Sequence, residues 1–152
     1  MSTDFHPGDP DFEARVRASF VRQRLMQTLR VRLSHIAPGE CEMEMPFDAA
    51  FAQQHGFLHA GTLTSVVDSA CGYAALSLMA PGAAVMSVEF KVNLLAPAAG
   101  EMLIARARVV RSGRTLTIVS GDGFMRSADR ERHVFTMLGT MMAVEGRPGV
   151  SD

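Results

Sequence analysis

Cysteine is scarce in this 152-residue chain: Cys41 and Cys71 stand thirty positions apart with no C-x-x-C pair. Neither a zinc knuckle nor a disulfide framework is encoded, and the two thiols read as small buried apolar residues suited to a reducing compartment. A basic surplus is also missing. Fifteen Lys and Arg face sixteen Asp and Glu, for a formal charge of −1, which argues against nucleic acid as a partner. Lys91 is the one lysine beside fourteen arginines, which cluster in residues 15–32 and 106–147 and read as solvated helix and strand faces. No basic-then-apolar leader opens the chain, since residues 1–11 are acidic and carry Pro7 and Pro10. The least charged window, residues 62–79, holds Asp68, Gly72 and several hydroxyls, too short and too polar for a membrane span. A soluble, cytoplasmic protein is expected. H-E-x-x-H, G-x-S-x-G, a phosphate loop and a dinucleotide fingerprint are all absent.

The length fits one domain over residues 1–152. Residues 11–27 carry Phe12, Val16, Phe20, Leu25 and Met26 at helical spacing, with Pro10 suited to the first helical position and Asp9 to the cap. A core follows over residues 29–144. Leu29, Val31 and Leu33 alternate with polar residues, as do Cys41, Met43 and Met45 beyond Ala37-Pro38-Gly39, which predicts a hairpin. Residues 46–61 read as a loop with a helical turn. Residues 62–79 predict a helix apolar on most sides, and such a helix belongs in a core. Four strands are expected after it: residues 86–94, 103–109, 115–125 and 133–144. Gly121-Asp122-Gly123 reads as a strand bulge, and residues 146–152 as a frayed tail. A neutral helix followed by an antiparallel meander implies an α+β domain whose sheet curls around that helix. Strand 86–94 would leave an open edge unless a second copy pairs with it, which predicts a dimer or tetramer.

Asp68 is the one charged residue of the predicted core helix. A carboxylate there costs several kcal/mol unless it is hydrogen-bonded, paired or open to a pocket. A paired aspartate is the structural alternative, and a functional acid the stronger reading. Ala60 and Gly61 sit at the expected N-terminus of that helix, where free N–H groups favour negative charge and an oxyanion could be held. His55 and His59 stand four apart, but Gly56 interrupts any helix and no third ligand lies at useful spacing, so no metal site is expected. His59 reads as a loop-ordering or substrate-contacting residue.

The segment Gln53…Gly56-Phe57-Leu58-His59-Ala60-Gly61…Val66-Val67-Asp68, followed by Ser87-Val88-Glu89-Phe90-Lys91-Val92-Asn93-Leu94-Leu95-Ala96-Pro97 and the turn Arg111-Ser112-Gly113-Arg114-Thr115, resembles the hotdog-fold acyl-CoA thioesterases. The nearest branch is the phenylacetate-degradation (PaaI-like) one. The resemblance implies an antiparallel β-sheet wrapped around a long central α-helix, in homodimers or homotetramers with sites at the dimer interface. It gives Asp68 the part of nucleophile or general base, and Gln53 that of the amide orienting nucleophile or leaving group. Ala60 stands where the family has a glycine whose N–H polarises the thioester carbonyl, and Ser87 where a polar residue holds water. Gly61 and His59 would meet substrate, and Arg111 and Arg114 are candidates for the coenzyme A phosphates. No metal, cofactor, nucleic acid or membrane is implied, coenzyme A being part of the substrate. The competing readings are an acyl-CoA-binding sensor without turnover and, on the same fold, an enoyl-thioester hydratase, for which no histidine-and-acid motif surrounds Asp68.

Overall fold

The computed structural model describes residues 5–152, so the first four residues of the acidic opening lie outside it. Helix α1 (Phe12–Arg22) begins after Pro10 rather than on it, because Asp9 organises a turn just ahead. Its Oδ1 accepts the Asp11 N–H at 2.9 Å and its carbonyl the Phe12 N–H at 3.2 Å. The single helix expected over residues 11–27 is two, since Gln23 leaves helical geometry at ψ 95° before α2 (Arg24–Thr28). The Gln27 amide donates to the Val21 carbonyl, so the break does not orphan that acceptor. Leu29, Val31 and Leu33 are buried in alternation as expected, but Arg30 sits at φ 56° and the strand starts only at Arg32.

Strands β1 (Arg32–Ala37) and β2 (Glu40–Pro46) form the expected antiparallel hairpin, turning at Gly39 with φ 78°. A 3-10 turn (Ala49–Phe51), capped by Asp48, lies in the following loop. Helix α3 (Ala60–Leu76) starts two residues before the expected position because His59 caps it, and it ends earlier at a Ser77 C-cap. Arg15 closes that end from α1, donating to the carbonyls of Leu76, Met79 and Ala80 at 3.0, 2.9 and 2.6 Å. Among the described residues, no helix is long and apolar enough to cross a membrane.

Strands β3 (Ala84–Leu94), β4 (Met102–Ser112), β5 (Leu116–Ser127) and β6 (Arg130–Val144) complete one antiparallel sheet in the order β1-β2-β4-β5-β6-β3. The sheet curves around α3, which touches β2, β3, β4, β5 and β6, as the α+β reading expected. Leu103, Ala105, Ala107 and Val109 of β4 face the helix and are buried. Both thiols are buried, and burial pushes each well above the ordinary cysteine range, so they act as apolar side chains.

Strand β3 departs from the simple alternation. A bulge at Val88 shifts the register, so Ser87 pairs with Met141 while Glu89 pairs with Thr140. Ser87 therefore turns toward α3, and Met86 to the opposite face. As the sheet edge, β3 leaves Met86, Val88, Phe90 and Leu94 between 43% and 57% exposed.

Gly121 is explained by proximity to the helix. A Cβ there would stand 2.5 Å from Val67 Cγ1 and 2.6 Å from Cys71 Sγ, and the register shift falls further on, between Gly123 and Phe124. Gly121→Ala is expected to cost about 1–3 kcal/mol of stability, because overpacking outweighs the gain from a less flexible unfolded chain. Urea denaturation showing unchanged or raised stability would refute this close approach.

Candidate active site

Helix α3 carries Asp68 at the middle of its length, half-buried on the side facing β3. Ser87 Oγ–H donates to Asp68 Oδ1 at 2.7 Å and lies 3.3 Å from Met141 Sδ. The bulge at Val88 is what aims that hydroxyl at the carboxylate. Burial pushes the Asp68 carboxyl above its ordinary value, and the Ser87 hydrogen bond, which favours the ionised form, pulls it partly back. Asp68 and Ser87 share a depression of about 370 Å³ with Ser19, Arg22, Tyr73, Val85 and Asp152.

Ser87→Ala tests this balance. Removing a donor to the carboxylate leaves desolvation unopposed, so the carboxyl rises further and ionises only at higher pH. The Asp68 carboxyl, followed by NMR titration, is expected to titrate at higher pH in the variant than in the wild type. An unmoved titration, or one displaced downward, would remove Ser87 from the site.

The N-terminus of α3 forms a second locus. His59 Nδ1 accepts the Gly61 N–H at 2.8 Å, and the His59 carbonyl accepts from Thr62 and Leu63. His59 thus orders the loop-to-helix junction, and the Gly61 N–H is committed to it. Among the described residues no acceptor faces the Ala60 N–H, which leaves it pointing out of the helix end with the dipole behind it. Gln53 stands nearby, its N–H bonded to Phe57 O at 2.8 Å and its side-chain oxygen accepting the His55 N–H. Gln53, His59, Ala60, Leu63, Leu94 and Leu95 line a separate depression of about 620 Å³.

One chain therefore brings Asp68 to Ser87, and Gln53 to His59 and Ala60, but not the two groups to each other. Ala60 precedes Asp68 by eight residues of helix, or about 12 Å of rise, too far for both to act on one carbonyl. Arg111 and Arg114 are exposed at the β4–β5 turn and line neither depression. Ser19, Arg22, Tyr73 and Asp152 were missed by the sequence reading. Gly146 and Gly149 around Arg147-Pro148 were the available signal that the tail reverses.

The Thioesterase superfamily model matches residues 55–128, which include His59, Ala60, Asp68 and Ser87 and begin two residues after Gln53. A thioesterase family protein from Silicibacter pomeroyi is 51% identical, with 89% of this chain and 99% of that chain covered at a TM-score of 0.88. The chain belongs to the thioesterase superfamily. Within this family of thioester hydrolases, human acyl-coenzyme A thioesterase 13 is 31% identical over 94 residues, 61% of this chain and 66% of the relative. The chain thus spans about two thirds of the length of that curated relative. The PaaI protein from the phenylacetic acid degradation operon of E. coli, 21% identical with a TM-score of 0.81 over 90% of this chain and 95% of its own, shares the fold. The hotdog arrangement of one long helix in a six-stranded antiparallel sheet is common to these thioesterases and this chain.

Proposed function

We propose that the protein hydrolyses an acyl-coenzyme A thioester to the free acid and coenzyme A, at a site completed by two copies of the chain. The observation that carries this reading is the about 12 Å of helix between Asp68 and the open Ala60 N–H. Two chains related by a two-fold axis can bring Asp68 of one and the helix end of the other to a single thioester. The edge strand β3, with its unpaired rim and exposed Met86, Val88, Phe90 and Leu94, is the surface on which that dimer forms. A tetramer would join two such dimers.

In this scheme the Ala60 N–H and the helix dipole hold the charge that develops on the thioester oxygen. Asp68 either attacks the carbonyl carbon or removes a proton from the water that does. The carbon–sulfur bond breaks and the sulfur takes a proton. Where water has attacked, the acyl group leaves directly as the carboxylic acid; where Asp68 has attacked, water hydrolyses the mixed anhydride so formed to the acid and the free Asp68 carboxylate. Gln53 orients the nucleophile or the departing thiol, and Ser87 holds Asp68 and the water. His59 fixes the helix end beside Gly61. Arg111 and Arg114 are the guanidinium groups offered to the phosphates of coenzyme A. The scheme uses no metal or cofactor, and the buried thiols fit a cytoplasmic setting.

Thiol release from acetyl-, butyryl-, dodecanoyl- and phenylacetyl-CoA, followed colorimetrically, tests the reading. The aromatic member is included because the E. coli structural neighbour comes from a phenylacetic acid degradation operon. Turnover of at least one of these thioesters is expected, and tight binding without thiol release would make the protein a sensor instead.

A further inference from the structure

The tail of the chain does not fray. Gly146 and Gly149 adopt left-handed φ of 65° and 76°, conformations that favour glycine, and Val150 N–H donates to Arg147 O at 3.1 Å. The chain so reversed brings Asp152 back onto the fold, where its carboxylate is gripped by two elements at once. Ser19 Oγ–H of α1 donates to Oδ1 at 2.6 Å, and the Val85 N–H of β3 donates to Oδ2 at 3.2 Å. The Arg22 guanidinium stands 3.8 Å from Oδ1, and the Tyr73 hydroxyl lies 3.4 Å from Ser19 Oγ. Ser19, Arg22, Tyr73 and Val85 all line the depression that holds Asp68 and Ser87.

A hydroxyl, a backbone N–H and a guanidinium converging on two separate oxygens form a donor set matched to a carboxylate. The Val85 N–H lies near the start of β3, ahead of the exposed Met86, Val88, Phe90 and Leu94 on which the dimer forms. It donates to Asp152, so a carboxylate that displaces Asp152 can take it. Asp68, Ser87 and the cradle residues line one depression of about 370 Å³, which puts the cradle within the space a short acyl chain would fill beside Asp68.

We propose that the cradle is a carboxylate-binding subsite which the protein fills with its own Asp152, and that its external ligand is the distal carboxylate of a short dicarboxylic acyl group. The proposal rests on the reading of Asp68 as the hydrolytic carboxylate. A tethered side chain competes at an effective concentration of about millimolar order, so an external carboxylate can exchange with it. The exchange replaces one negative charge by another, and the released Asp152 becomes hydrated in solvent.

The test compares glutaryl-CoA with pentanoyl-CoA, which has the same chain length and lacks the second carboxylate. Thiol release is measured for the wild type, for Asp152→Ala and for Asp152→Asn. In parallel, dissociation constants for both thioesters are measured with Asp68→Asn protein carrying and lacking Asp152→Ala. Asp152→Ala is expected to raise the glutaryl-to-pentanoyl ratio, in kcat/KM and in affinity, by about tenfold. Asp152→Asn, a weaker occupant of the cradle, should raise it less. Adding Ser19→Ala and Arg22→Gln to Asp152→Ala should abolish the gain.

Equal gains for both thioesters would make Asp152 a steric plug, and an unchanged or lower ratio would make the tail a structural strap. Either result overturns the proposal. If no thioester is hydrolysed while the affinity ratio still rises, the hydrolytic reading fails and the carboxylate subsite stands.

Discussion

Asp68→Asn is expected to lower turnover at least about a hundredfold while leaving the protein folded and, at neutral pH, no less stable than the wild type. The amide has nearly the shape of the carboxylate and can still accept the Ser87 hydrogen bond, but it neither attacks a thioester nor takes a proton from water. Stability moves the other way. Burial raises the Asp68 carboxyl above its ordinary value in the folded protein, so between those two values the folded state binds more protons than the unfolded one. By linkage, stability then falls as pH rises through that window. Above it the wild type carries the full cost of a desolvated charge, which asparagine does not. A thermal unfolding series should show Asp68→Asn gaining on the wild type as pH rises from the acidic side. Near-wild-type thiol release by the folded variant would refute the catalytic assignment. A stability disadvantage that grows with pH would refute the electrostatic one.

How much of this was legible in the sequence depended on how local the cause was. Cys41, Met43 and Met45 alternate with glutamates, and Gly39 marks the turn, so the β1–β2 hairpin could be read residue by residue. Three-and-four spacing of apolar residues revealed α3, and Asp68 was conspicuous as its only charge. The break at Gln23 was not legible, because the Val21 carbonyl it strands is met by a Gln27 side chain whose role no periodicity encodes. Nor was the bulge at Val88. It appears only when β3 is paired against β6, yet it decides that Ser87 faces Asp68. The docking of Asp152 joins residues 133 positions apart, and composition says nothing of such contacts. Gln53 was legible through family resemblance, but its neighbourhood was not. In one chain it lies with His59 and Ala60, in a different depression from Asp68.

That separation has a direct consequence in mixed oligomers. Gln53→Ala and Asp68→Asn proteins, each weak alone if both residues act only in the transition state, should recover activity when unfolded together and refolded. In a mixed dimer one site inherits both substitutions. The other regains native Asp68 from one chain and native Gln53 from its partner. Random pairing makes about half of the dimers mixed, so about a quarter of all sites should be native. Complementation within a single chain cannot give this result, because every chain carries one defect. The helix supplies the physical reason to expect it. Ala60 and the loop bearing Gln53 lie at one end of α3, and Asp68 lies about 12 Å along it. Light scattering on the refolded mixture checks that the species is a dimer or tetramer. Activity equal to the average of the two parents would place Gln53 in the same chain as the carboxylate it serves, or outside the reaction. A monomer in that measurement would remove the shared site altogether, since an isolated chain holds Asp68 and the Ala60 N–H too far apart to grip one thioester.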